Sequence, residues 1–153
     1  MKLTIEQAQS AVTAAMAKAA AISVPMNIVV LDAGGHMKAF LGMDGALLAS
    51  LDVAQKKAKT SVLFEANSES VWEYCKPGAP AHGLQYTNDV LVTFAGGIPL
   101  RAGNEVLGAI GVSGGAVSED ADVAAAGVAA FKTALTKQRA HAGVASSRKL
   151  TET

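Results

Sequence analysis

The sequence is poor in three kinds of residue: cysteine, aromatic residues and charged residues. Cys75 is the one cysteine, which excludes an intrachain disulfide and a zinc site built on CxxC pairs; a buried structural thiol is expected there. Aromatic residues make up 5% of the chain and charged residues 17%, against roughly 25% charged residues in a typical soluble domain. Small residues dominate the apolar half of the composition, which indicates close backbone packing and surfaces covered by another subunit.

Basic and acidic residues balance at 13 each, and no basic stripe with interleaved aromatics occurs, so nucleic acid is not expected as a partner. The run Lys56, Lys57 and Lys59 is interpreted as the solvated face of a helix. No apolar stretch approaches the roughly 20 residues of a membrane span, so no membrane association is expected. Polar residues interrupt the first ten positions, unlike the apolar centre of a signal peptide, and we expect a cytoplasmic protein.

Helical and strand periodicities alternate along the chain. Thr4 and Gln7 form a capping box that predicts a helix start, and Ser70 with Glu73 forms a second one. The turn at 32–35 joins two strands into a hairpin, and short glycine turns join three later strands. The predicted elements are helix 5–21, strands 26–31 and 36–43, helix 46–64, a short helix before Pro77, a loop over 76–89, strands 90–94, 98–101 and 105–113, and a helix from Ser118 to about Lys137.

This order, α-β-β-α-α-β-β-β-α, shows neither an internal repeat nor a linker, so residues 1–140 are predicted to form one domain. The hairpins predict an α+β, profilin-like fold with a five-stranded, mostly antiparallel sheet flanked by helices. The polar residues 141–153 are predicted to be a mobile tail. Gly108 and Gly111 weaken the last strand unless a helix or a second subunit approaches its backbone closely. For this reason, and because charge is low, we expect at least a homodimer.

Five segments carry a resemblance to a known family. They are Val29 to His36 (VVLDAGGH), Met43 to Ala46 (MDGA), Lys57 to Thr60 (KAKT), Gly96 to Pro99 (GGIP) and Leu107 to Gly114 (LGAIGVSG). In this order and spacing they resemble the GlcG/HbpS family, which includes the C-terminal domain of PduO-type proteins, up to about residue 137. The resemblance implies a five-stranded antiparallel sheet with flanking helices and higher homo-oligomers such as tetramers or octamers. It also implies haem or iron binding in some members, and places others in operons for organic-acid or aromatic breakdown.

One position departs from the family pattern. Members of the family often carry an arginine just before the Met-Asp-Gly-Ala stretch, where this chain has Gly42. If that arginine serves a carboxylate-bearing ligand, this chain has lost the contact or supplies it from elsewhere. Arg101 is the candidate anion partner.

The candidate ligand site lies around the hairpin mouth and the long loop. His36 stands at the hairpin mouth and His82 in the loop, and both are candidate haem-iron ligands. Haem needs a flat apolar slot, an axial donor and usually cations for its propionates. For each histidine, an ordinary surface or hydrogen-bonded role is the competing interpretation. The next donors to test are Tyr74, Tyr86 and Met37.

Other motifs are weak, and three functions stay open. The glycine pairs give neither GxGxxG nor GxxxxGK[ST] and are interpreted as turns, and no GxSxG elbow occurs. Glu65, Glu69 and Glu73 are spaced four apart, but Asn67 and Ser68 break the helix between them, and no histidine partner follows. A small-ligand-binding protein that handles haem, another tetrapyrrole or iron is favoured. The alternatives are an isomerase, lyase or hydrolase acting on a small organic acid, and a non-catalytic oligomeric accessory protein.

Overall fold

The structure, a computed structural model, describes the backbone of residues 1–150 and the side chains of residues 1–143. A short 3₁₀ turn, Leu84–Tyr86, lies between the third helix and the third strand. The other elements are α1 (Ile5–Ala21), β1 (Asn27–Asp32), β2 (Met37–Gly42), α2 (Ala49–Phe64), α3 (Ser68–Cys75), β3 (Gly97–Ala102), β4 (Glu105–Ser113) and α4 (Val117–Leu150). The fold is therefore α+β, as the sequence predicts.

The sheet has four strands within residues 1–150, in the order β2-β1-β4-β3, and every neighbouring pair is antiparallel. The prediction of five strands is wrong, because residues 90–94 form no strand. Their backbone groups bond elsewhere: the N–H of Leu91 donates to the Gln85 carbonyl, and that of Val92 donates to Thr60 Oγ1 in α2. A segment whose N–H groups are satisfied by a loop and a helix does not need a neighbouring strand.

Alternation along the strands builds three layers. In β1, Ile28 and Val30 pack with α1 and α4 on one face of the sheet, while Val29 and Leu31 pack on the opposite face against Ala54 and other residues of α2. This strand is buried on both faces, which explains why its sequence is apolar without alternation. The layers are therefore α1 and α4, then the sheet, then α2 with α3 beside it.

Small residues let α1 and α4 approach closely. The α1 face toward the core is made of alanines, and Gly127 of α4 faces it: a Cβ at Gly127 would lie 3.0 Å from the Ala11 carbonyl oxygen. The buried alanines are Ala8, Ala11, Ala15 and Ala19. The composition's abundance of small apolar residues therefore reflects close backbone packing within the chain.

The two glycines of β4 are covered by the chain itself. A Cβ at Gly111 would overlap the Ala54 carbonyl oxygen of α2, and one at Gly108 would overlap the Leu31 carbonyl oxygen of β1. The predicted close approach to this strand is confirmed, and at Gly111 the covering element is a facing helix. The glycines of β4 consequently no longer argue for a second subunit.

The solvated lysine face predicted for α2 is wrong at its central residue. Lys57 is fully buried, whereas Lys56 and Lys59 are partly exposed. The buried stripe of α2 consists of small and polar residues together with this lysine: Ser50, Ala54, Lys57, Ala58, Thr60 and Ser61. Leu47 and Leu51, at the start of this region, are exposed.

Helix ends agree with the sequence at one position and differ at two others. The capping box of α1 is present, with Gln7 N donating to Thr4 Oγ1 and Thr4 N donating to the Gln7 side chain. The second predicted box is wrong, since α3 begins at Ser68 and Ser70 lies inside it. The last helix continues past Lys137 to Leu150. Residues 151–153 lie outside the described part, and the mobility of 141–153 stays a prediction.

Cys75 is buried at the end of α3, as expected of a structural thiol. None of the helices described between residues 1 and 150 is long and apolar enough to cross a membrane.

Candidate functional site

His36 lies in the turn between β1 and β2, where Asp32 holds it. Asp32 Oδ1 accepts hydrogen bonds from the backbone N–H of Gly34 at 2.9 Å and of His36 at 3.0 Å, and it lies 3.2 Å from His36 Nδ1. When Nδ1 carries the proton of the neutral ring, Nε2 is a free lone-pair donor. The His36 side chain is 81% exposed, so a ligand can reach it.

The hydrogen bonds of the hairpin turn also lower the pKa of Asp32. Desolvation of the carboxylate raises its pKa, but the hydrogen bonds from the His36 and Gly34 N–H groups and from the His36 ring together outweigh that effect, so the pKa of Asp32 is lowered. A Cβ at Gly34 would lie 2.8 Å from His36 Nδ1. Glycine at this position therefore leaves room for the imidazole to fold back onto the carboxylate.

A shallow depression of about 230 Å³ adjoins this turn. It combines apolar side chains, open glycine backbone and one cation, Lys59, whose ammonium also donates to the Asn88 carbonyl oxygen at 2.8 Å. We call it the hairpin depression, and its lining residues are Leu31, Ala33, Gly34, Gly35, Gln55, Lys59, Val62 and Leu63.

The structure does not bring the three predicted site residues into one described cavity. His82 lies in the turn region after α3 and is exposed. Arg101 lies in β3 and donates to the backbone carbonyl oxygens of Glu65 and, at 3.3 Å, of Asn104. Because β1 and β4 separate β2 from β3, and strands are spaced about 4.8 Å apart, the backbones at His36 and Arg101 are separated by roughly 14 Å.

A second concave region lies at the opposite end of the strands and was missed by the sequence analysis. It consists of two adjoining cavities of about 490 and 230 Å³ that share Phe94 and Val117. Trp72 and Phe94 face it with 41% and 47% of their surface exposed. We call it the aromatic groove; its lining residues are Glu69, Trp72, Glu73, Thr93, Phe94, Ala95 and Val117, continued by Leu47, Ala49, Ser50, Val53, Ser113, Gly114, Gly115 and Asp120.

A buried ion pair supports this groove. Lys57 Nζ lies 2.7 Å from Asp120 Oδ2, donates to the Val112 carbonyl oxygen at 2.9 Å, and lies 5.0 Å from the centroid of the Phe94 ring. Burial lowers the pKa of the Lys57 ammonium, and its hydrogen bond and charge interaction with Asp120 oppose that shift only in part. The pair joins α2 to β4 and α4 and holds the inner side of Phe94.

A pattern in α2 could have revealed this pair. The spacing of Ser50, Ala54, Lys57 and Ser61 follows one helical face, and small residues along a face indicate close packing as clearly as large apolar ones do. Acidic residues after Ser118 are expected in any case, since they favour the N-terminus of a helix. Nothing in the sequence alone pairs one of them with a lysine 63 positions earlier.

The carboxylates of the groove do not form a metal site of the usual kind. Glu69 and Glu73 lie on the α3 wall with Trp72, and α2 ends before them at Phe64, as the predicted helix break requires. Among the described residues, no group of three or more histidine, cysteine, aspartate or glutamate side chains is placed to hold a metal ion.

Comparisons with known proteins agree with the fold. The sequence model of the family described as "Haem degrading protein HbpS-like" matches residues 3–129. The chain is 37% identical over 119 residues to the uncharacterized 15.0 kDa protein in the dhaT-dhaS intergenic region of Citrobacter freundii, covering 77% of this chain and 84% of that protein. It is 34% identical over 132 residues to corrinoid adenosyltransferase PduO of Citrobacter freundii, covering 86% of this chain but only 39% of that protein.

Among solved structures, the crystal structure of a PduOC:haem complex is similar, with a TM-score of 0.81 and 32% sequence identity over 85% of this chain and 95% of that chain. The family match, the sequence relatives and this structural likeness agree along most of the same stretch. The chain belongs to the family of haem-degrading, HbpS-like proteins.

Proposed function

We propose that this protein binds haem or a related tetrapyrrole beside the hairpin depression, with His36, which adjoins the depression without lining it, as the ligand to the iron. The observation that carries the proposal is the contact between Asp32 and the Nδ1 atom of His36 at 3.2 Å. Imidazoles that ligate metals usually donate their other ring N–H to a carboxylate or carbonyl group, which fixes the tautomer and raises the basicity of the ligand atom. His36 is prepared for ligation in this way.

At about 230 Å³ the hairpin depression is too small to enclose a haem, since pockets that enclose ligands of that size are larger, so the macrocycle would lie across the depression beside His36. A haem bound there would be held by His36 and would supply an iron centre for redox or ligand-binding chemistry. The apolar side chains of Val62 and Leu63 can cover part of one face of the macrocycle, and Lys59 can pair with a propionate. The similarity to a protein crystallised as a haem complex supports the same ligand class.

His82 and Arg101 have weaker claims to this site. Neither His36 nor His82 is among the lining residues of the described cavities, but Asp32 orients the His36 ring, and no described carboxylate contacts the ring of His82, whose exposed ring stays a candidate donor. The guanidinium of Arg101 is engaged by the carbonyl oxygens of Glu65 and Asn104. We propose Lys59 as the first anion partner to test because it lines the hairpin depression, whereas Arg101 lies in β3, which two strands separate from β2.

The test is a titration of the purified protein with haem, followed by the Soret band and by iron content after desalting. His36→Ala should weaken haem binding by about tenfold or more, since loss of a ligand or its orienting partner commonly costs 10- to 100-fold. His82→Ala is the matched control and should bind like the parent. Equal binding by the parent and both variants would move the site elsewhere, while a loss confined to His82→Ala would move the ligand to the loop.

An enzyme acting on a small organic acid stays the alternative function, and a non-catalytic oligomeric accessory protein the third. A protein that gives no Soret band after exposure to haem, and contains no iron, would favour one of these two. Cytoplasmic location stays an expectation from the sequence.

We also infer that the protein forms homo-oligomers, through an apolar surface at the open edge of the sheet. Strand β2 is an edge strand, and Phe40 on it is half exposed. A Cβ at Gly42 would lie 3.2 Å from the tip of the Phe40 ring and 3.0 Å from Asn27 Oδ1, and Asn27 Nδ2 donates to the Leu47 carbonyl oxygen at 3.3 Å. We call the exposed side chains of Phe40, Leu47, Leu48 and Leu51 the edge patch; exposed apolar side chains beside an unpaired strand edge are typical of protein contacts.

A further inference from the structure

We propose that the aromatic groove is a second ligand site, independent of the haem proposal, and that it takes an organic cation: an amine or quaternary ammonium with an apolar or aromatic body. The proposal rests on the juxtaposition of two half-exposed aromatic rings, Trp72 and Phe94, with the carboxylates of Glu69 and Glu73 in one groove of about 490 Å³.

The position of the Phe94 ring is fixed by contacts within the fold. Ser68 Oγ donates to the Phe94 carbonyl oxygen at 2.7 Å and accepts from the Gly97 N–H at 2.9 Å, which anchors the backbone on both sides of this turn. Lys57 lies beneath the Phe94 ring at 5.0 Å from its centroid. Sites that are held in place before binding lose little entropy when a ligand arrives.

The charge of the groove selects the class of ligand. Among the described residues that line it, none is basic, and the one nearby buried cation, Lys57, is neutralised by Asp120. Lys76 pairs with Glu73 at 2.5 Å and compensates that carboxylate in part. Among the described residues, no cation lies within salt-bridge distance of Glu69, which accepts from Asn67 Nδ2 at 3.3 Å and acts on the charge of Lys57 at longer range. The groove consequently presents net negative charge beside aromatic faces, and Glu69 carries most of it.

Aromatic faces and carboxylates together favour alkylammonium groups, because the ring quadrupole and the anionic charge both attract a cation whose substituents are apolar. The same features disfavour haem. No histidine, cysteine, tyrosine or methionine is among the described lining residues, and the propionates would face Glu69 and Glu73.

The sequence supplies a direct reporter, since Trp72 is the one tryptophan of the chain. The experiment titrates the full-length protein with benzyltrimethylammonium and follows tryptophan fluorescence, with neopentylbenzene as the neutral isostere and phenylacetate as the anionic comparator. We expect a saturable change with the cation, and weaker binding of both comparators. Calorimetry on Trp72→Leu, which removes the reporter, should show weakened binding of the same cation.

Charge variants make the test specific. Glu69→Gln should weaken binding of the cation by about two- to fivefold, the range expected for an exposed charge pair. Glu6→Gln makes the same charge change on α1, away from the groove, and should bind like the parent. Tryptophan emission that does not respond at millimolar cation would overturn the proposal. So would comparators that bind as tightly as the cation, or a Glu69→Gln variant that behaves like Glu6→Gln.

Discussion

Lys57 Nζ and Asp120 Oδ2 lie 2.7 Å apart, and both side chains are buried between α2 and the start of α4. The other carboxylate oxygen of Asp120 accepts from the Gly115 N–H at 2.9 Å, so the pair ties the end of β4 to the start of α4. A buried charge that loses its partner is left uncompensated in a medium that solvates it poorly. The stability of the fold therefore depends on keeping both members.

We predict that Lys57→Met lowers the free energy of unfolding by about 3–5 kcal/mol, because Asp120 would keep a buried charge without a counterion. Urea denaturation followed by circular dichroism measures the change. Lys56→Met is the matched control; it removes an exposed ion pair with Asp52 and should cost less than about 1 kcal/mol.

The double variant Lys57→Met with Asp120→Asn should recover part of the lost stability, because no unpaired charge is left in the interior. Equal stability of Lys57→Met and Lys56→Met would show that the pair contributes nothing. This ranking reverses the expectation from the sequence, which placed all three lysines on a solvated face.

We predict that Gly111→Ala destabilises the protein by about 1–3 kcal/mol through overpacking, because its Cβ would overlap the Ala54 carbonyl oxygen of α2. Gly143→Ala is the control: its Cβ meets nothing within 4 Å, and alanine favours the helix by up to about 1 kcal/mol. Thermal melting of the two variants should move the midpoint in opposite directions. A lower melting temperature for both variants, or for neither, would contradict the close packing of α2 on β4.

The sequence predicts the elements whose pattern lies within a few neighbouring residues. It does not predict elements that depend on contacts with residues far along the chain. The α1 cap, the hairpin turn and the apolar strand β1 are local features, and they are confirmed. Residues 90–94 have the composition of a strand, but Asn88, Asp89 and Val90 adopt positive φ angles, and the following N–H groups bond to Gln85 and Thr60. Propensity alone does not reveal those partners.

The candidate site also has a part that local sequence predicts and a part that depends on distant contacts. His36 is predicted at the hairpin mouth, and the structure adds its orientation by Asp32, which lies four residues before it. The aromatic groove is assembled from the start of α2, α3, the segment before β3, the end of β4 and the start of α4. These segments are far apart in sequence and share no common motif, so the groove becomes visible only once the chain is folded.

We predict that the hairpin turn keeps its structure under mildly acidic conditions and loses it only when the Asp32 carboxylate protonates. Because the folded pKa of Asp32 is lowered from its ordinary value of 3.8, its contribution to stability is present above that value and is lost as pH falls through the folded pKa. The amide NMR signals of Gly34 and His36 should therefore titrate with a midpoint below 3.8. A midpoint at or above that value would mean that these hydrogen bonds do not stabilise the carboxylate.

Asp32→Asn removes the charge but keeps the size of the side chain. If His36 ligates haem iron, this variant should weaken haem binding by about tenfold, since the orienting carboxylate raises the basicity of the ligand. Asp44→Asn, an exposed acid after β2, serves as the control and should bind haem like the parent. If Asp32→Asn binds haem normally and His36→Ala does not, His36 is the ligand and Asp32 does not strengthen its binding to the iron.

The last prediction concerns the edge patch. Light scattering at micromolar concentration should report at least a dimer of the 15.5 kDa chain. Leu48 is 84% exposed in the isolated chain, and Leu48→Glu should shift the mass toward that of the monomer, because a contact that buries the patch would have to desolvate the new carboxylate. Ile5→Glu is the matched control: Ile5 is exposed in the first turn of α1, in the opposite layer of the fold, and an acid is favourable near a helix N-terminus. A monomeric parent would contradict self-association, and an identical mass for the parent and both variants would show that the edge patch is not the contact surface.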